Sequence, residues 1–85
     1  MVLKNKSAVR HNPKLNTIQM VEDFIEEHSG EYKKRALREN LPRGVEYPTF
    51  TTIIDYLIKS NKIVVDKEGY IVWIWNPELV KQWLL

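Results

Sequence analysis

Eighty-five residues, 44% of them apolar and 28% charged, suffice for one small core and leave no room for a second. The absence of cysteine excludes disulfides and thiolate metal sites, and the two histidines, far apart, suggest no other metal or cofactor site. The net charge of +2 hides a block pattern: residues 1–16 carry Lys4, Lys6, Arg10 and Lys14 without an acid, residues 17–32 carry five acids without a base, and residues 33–43 are basic again. Such segregation predicts a molecule with an acidic side and a basic side, suited to orienting a polyanion. No apolar run approaches the ~20 residues that cross a bilayer, and no apolar segment follows the basic N-terminus as in a signal peptide. A cytoplasmic protein is the expectation, with no membrane partner.

Residues 1–12 have no hydrophobic period and are expected to form a flexible basic arm ahead of a domain over 13–76. Asn16, with Gln19 three positions on, predicts a helix start. Ile18, Val21, Phe24 and Ile25 fall on one face, Glu22, Asp23, Glu26 and Glu27 on the other, and Ser29-Gly30 ends the helix. A second, short helix is expected over roughly 33–40. Ala36, Leu37 and Leu41 point inward, Lys34, Arg35 and Arg38 outward, and Pro42 and Arg43-Gly44 break it. A third helix opens at Y-P-T-F with Pro48 in its first turn, where the missing N–H costs nothing, and runs to about Asn61. Phe50, Ile53, Ile54, Leu57 and Ile58 form its buried stripe. Thr52, Asp55, Tyr56 and Lys59 lie opposite.

Lys62–Val65 and Y-I-V-W-I-W read as two strands joined by a three-residue loop with Gly69 as its left-handed residue. That register pairs Asp66 with Tyr70, Val65 with Ile71 and Ile63 with Trp73. Alternation puts Ile63, Val65, Ile71, Trp73 and Trp75 on one face, roofing the helices, and Val64, Tyr70, Val72 and Ile74 on the other. The second face needs a cover. Residues 77–85, opened by Asn76-Pro77, read as a last helix with Leu79, Val80, Trp83 and Leu84 apolar. It packs either on its own domain or on a second copy. A homodimer is the expectation, with Val64, Val72, Ile74, Leu79, Val80, Trp83 and Leu84 as its interface.

The fold class is therefore α+β, mostly helical. The helix K-K-R-A-L-R-E-N-L, the loop P-R-G-V-E-Y, the helix P-T-F-T-T-I-I-D-Y-L-I-K-S-N and the hairpin K-I-V-V-D-K-E-G-Y-I-V-W-I-W together resemble a winged helix-turn-helix domain of the kind found in small archaeal transcription regulators. The likeness spans about residues 17–75. It rests on order, length and apolar pattern rather than on a diagnostic motif. The resemblance implies a three-helix core, a two-stranded wing and an extra C-terminal helix. It implies double-stranded DNA as partner, with residues 48–60 as recognition helix. Tyr47, Thr49, Thr51, Thr52 and Tyr56 would then face base edges, with Lys59 at phosphate. Lys33, Lys34, Arg35, Arg38 and Arg43, within residues 33–43, would also meet phosphate.

Plainer readings stand beside these. The basic helix can be a solvated face that offsets the acidic one, and the threonines can serve only to start a helix. Similar domains also act as protein-interaction modules without DNA. Asp55 on the reading face and the net-negative tip Asp66-Lys67-Glu68 both oppose phosphate. No nucleophile–base set, glycine-rich phosphate loop or zinc spacing points to an enzyme.

Overall fold

The computed structural model describes residues 13–77. Three helices, α1 (Leu15–Glu27), α2 (Lys34–Glu39) and α3 (Tyr47–Lys59), are followed by an antiparallel hairpin of β1 (Ile63–Val65) and β2 (Ile71–Trp73). This is a winged-helix-like topology. The arm over 1–12 and Leu79, Val80, Trp83 and Leu84 of the expected last helix lie outside the described residues.

Each helix contributes its apolar stripe to one core. Val21 and Ile25 come from α1, Leu37 from α2, and Phe50, Ile53, Ile54 and Leu57 from α3. Val45 of the preceding loop, Ile63 and Ile71 complete it. Ile18, Met20, Phe24, Tyr32, Leu41 and Trp73 pack around this centre. No polar residue among those described is buried, so apolar burial carries the fold.

The boundaries differ from the expected ones for identifiable reasons. α1 starts ahead of Asn16, because the extended Lys14 that follows Pro13 offers its carbonyl to the N–H groups of Thr17 and Ile18, each at 3.0 Å. Asn16 and Gln19 are exposed on the helix and make no capping box. α1 ends at Glu27, and Gly30, at φ +79°, sits in the turn beyond it. α3 stops at Lys59 rather than Asn61. Asn61 adopts φ +60° and donates to the Ile58 carbonyl, while the Lys62 N–H reaches back to Leu57 at 2.9 Å. These two bonds satisfy carbonyls that the helix leaves open, the Schellman arrangement with asparagine as its left-handed residue.

The hairpin register is the expected one: Ile63 opposite Trp73, Val64 opposite Val72, Val65 opposite Ile71. Gly69 has φ +96°. Two side chains expected inside lie outside. Ile58 is 40% exposed, since it stands at the margin of the α3 stripe in its last turn. Val65 is 48% exposed although it pairs with the buried Ile71. Strand β1 is the outer edge of the hairpin, whereas β2 has a neighbour on both sides.

That second neighbour is not legible in the sequence. Residues 30–33 run antiparallel beside β2: the Gly30 N–H donates to the Ile71 carbonyl at 2.9 Å, the Ile71 N–H to the Tyr32 carbonyl at 3.0 Å, and Lys33 bridges to Tyr70. Ser29 Oγ accepts from the Trp73 N–H at 2.8 Å. The α1–α2 connection thereby locks the hairpin against the helices. Trp73 is half-buried on the core and Trp75 half-buried beyond it, with Lys62 Nζ 5.9 Å from its ring centre.

Candidate nucleic-acid interface

The α2–α3 side is built around Tyr47. Lys34 and Arg38 are one turn apart on α2 and so project together. Lys34 Nζ lies 5.6 Å, and the Arg38 guanidinium carbon 5.7 Å, from the centre of the Tyr47 ring. Both distances allow cation–π attraction. The ring stays 59% exposed at the start of α3. Arg38 also donates through Nη1 to the Val45 carbonyl at 3.1 Å, tying α2 to the loop that leads into α3. Lys34, Arg35, Arg38, Glu39, Tyr47 and Phe50 line one open groove here.

The other basic residues part company. Arg35 Nε pairs with Glu39 Oε2 at 3.1 Å, but the arginine side chain is 89% exposed. Such a surface pair contributes little and exchanges readily for a stronger anion. Lys33 turns toward the hairpin, its Nζ 5.3 Å from the centre of the Tyr70 ring. Arg43 borders a second open groove with Lys14, Glu46 and Thr49, on the other side of the α3 N-terminus.

On α3, residues at 100° intervals place Pro48, Thr52, Asp55 and Lys59 along the ridge opposite the buried stripe. Asp55 and Lys59 are exposed. Thr49 and Tyr56 share one flank, the latter 51% exposed, and Tyr47 and Thr51 share the other. The threonines are not equivalent. Thr52 Oγ1 donates to the Pro48 carbonyl at 3.0 Å and keeps its lone pairs. Thr51 Oγ1 is enclosed without a hydrogen-bond partner, so its hydroxyl is not presented to a ligand.

The acids are sorted as well. Asp23, Glu26 and Glu27 are exposed on α1. Glu22, expected with them in solvent, instead receives Lys62 Nζ at 3.1 Å, both side chains largely covered. His28 closes α1 with Nδ1 3.1 Å from Glu31 Oε1 and its ring against those of Phe24 and Tyr32, at 4.4 and 5.7 Å between centres, the latter two 5.9 Å from each other. At the hairpin tip Asp66 Oδ1 accepts the N–H groups of Glu68 and Tyr70 at 3.0 and 2.8 Å. The acid that weakens the tip as a phosphate contact is thus the residue that shapes the turn. Among the described residues no three His, Asp or Glu side chains gather as metal ligands, and no helix is long and apolar enough to cross a membrane.

Comparison with known proteins assigns no family: no family model, curated protein or solved structure matches the chain.

Proposed function

We propose that the chain is a winged-helix DNA-binding protein, acting in transcription regulation, that engages duplex DNA with α3 as recognition helix and α2 on the phosphate backbone. The observation that carries this reading is the convergence of Lys34 and Arg38 on the exposed Tyr47. It makes one cationic and aromatic surface across the α2–α3 junction, in a groove that Glu39 also lines. Lys34, Arg35, Arg43 and Lys59 neutralise phosphates. Thr52 and Tyr56 face base edges, where hydroxyl groups and a threonine methyl have partners. Arg38 is engaged internally and sets the position of Tyr47 and of the α2–α3 loop.

The test is anisotropy of labelled random-sequence duplex against salt concentration. Affinity is expected to fall linearly on a log–log plot, with a slope of about −0.9 per neutralised phosphate. Lys34→Gln lowers that slope by about one contact. Arg38→Met weakens binding with the slope nearly unchanged. An unchanged slope in Lys34→Gln would place phosphate elsewhere. A second reading, a protein-interaction module of the same fold, is favoured by the exposed Asp55 on the α3 ridge and by the acidic hairpin tip. Absence of any duplex binding at low salt would select it.

A further inference from the structure

Thr52 and Asp55, on the outer ridge of α3, present hydrogen-bonding groups of one kind. The Thr52 hydroxyl donates its proton to the Pro48 carbonyl at 3.0 Å, and a carbonyl oxygen has no proton to return, so this bond has one direction only. Toward a ligand Thr52 Oγ1 is therefore an acceptor. Asp55 follows three positions on, so the two side chains are neighbours on the helix surface. It is exposed, and among the described residues nothing pairs with its carboxylate; Lys59, one turn further, makes no ion pair with it. An ionised carboxylate also accepts and never donates.

The base edges of the major groove answer this pattern unequally. Guanine and thymine present acceptors there, adenine an acceptor beside its amino group, and cytosine its N4 amino group alone. We propose that Asp55 is a specificity-determining residue that selects cytosine by accepting from N4, while Thr52 accepts from an amino group of the adjacent base pair. The inference rests on the DNA-binding reading, with α3 in the major groove, and gives that site its base preference. It also gives the negative charge on the ridge a use. Toward phosphate Asp55 lowers affinity for every sequence. Toward a cytosine amino group it restores affinity at one, and the difference is discrimination.

Selection by the full chain from a randomised duplex library at low salt, followed by sequencing, tests this. DNA bound by wild type has a fixed C·G pair, and exchanging that pair in a labelled duplex weakens binding about tenfold to a hundredfold. Methylation of that cytosine at N4 keeps its pairing with guanine but takes the free amino proton out of the groove, and weakens binding likewise. Asp55→Ala loses the preference at that position alone and binds random duplex more tightly than wild type, because a negative charge has left the surface that faces phosphate. Asp55→Asn changes the preference there from cytosine to adenine, since an amide donates to N7 while it accepts from N6. Asp55 is exposed, so both variants are expected to keep the wild-type circular dichroism spectrum. A bound pool without a fixed C·G pair, or the same preference at that pair in all three proteins, overturns the inference and leaves the DNA reading in place. Failure to retain any duplex at low salt overturns both.

Discussion

Asp66 shows how one side chain can serve geometry at the expense of charge. Its carboxylate accepts two backbone N–H groups across a loop whose last residue, Gly69, is left-handed. Asp66→Ala removes both acceptors and is expected to destabilise the domain by about 1–2 kcal/mol. Asp66→Asn, which keeps the acceptor oxygen, should retain most of that; urea unfolding measures both. At the same scale Lys34 and Arg38 differ although their spacing makes them look alike. Arg38 has a carbonyl partner within the chain, and Lys34 has only a ring face. The salt-slope comparison between them is therefore the sharpest residue-level test of the DNA reading. Thr51 and Thr52 are adjacent and look interchangeable in the sequence. A 100° turn of helix encloses one hydroxyl and leaves the other on the outer ridge.

At the scale of elements, the α1–α2 connection does more than join two helices. Its residues 30–33 pair with β2, and Ser29 Oγ accepts the Trp73 N–H. Ser29→Ala leaves that N–H without its acceptor. It is expected to speed hydrogen exchange at the Trp73 amide about tenfold, against little change at Leu57 of α3, because local opening of the hairpin edge becomes easier. Glu22 and Lys62 tie α1 to the base of the hairpin across forty positions of sequence. Neither tie has a local signature. A serine after a helix reads as a terminator, and a glutamate between other acids reads as solvated surface. Only the docking of α1 on the hairpin makes them partners. The helices themselves are legible, since a 3.6-residue apolar period sustained over 13 residues fits a helix and not a strand. Their ends are less so, because backbone carbonyls rather than side chains close them.

At the scale of the whole molecule, the buried apolar residues among those described form one cluster, and stability rests on it. Phe50 is fully buried at its centre. Phe50→Ala should cost about 3–5 kcal/mol, a large part of the total for a domain this small. Calorimetry is expected to show the cooperative unfolding transition either lowered by tens of degrees or lost. The charge blocks of the sequence are not kept wholly apart: Asp23, Glu26 and Glu27 stay exposed on α1, whereas Glu22 pairs with Lys62 and Glu39 with Arg35.

The sequence by itself determined the order of elements, the apolar stripes and the hairpin register. Each of these depends on periodicities of two or 3.6 residues and on a turn read within a few positions. It also determined that basic and acidic groups are segregated along the chain. Tertiary structure alone decided which of the candidate residues are available. Ile58 stands at the margin of the α3 stripe and Val65 on the outer strand of the hairpin, so both are exposed. Glu22 is paired rather than solvated, Lys33 leans on the hairpin, and Arg38 holds the loop before α3 while Lys34 remains open beside Tyr47. The physical reason is that exposure and pairing depend on distances between segments remote in the chain. Those distances exist only once the core has closed.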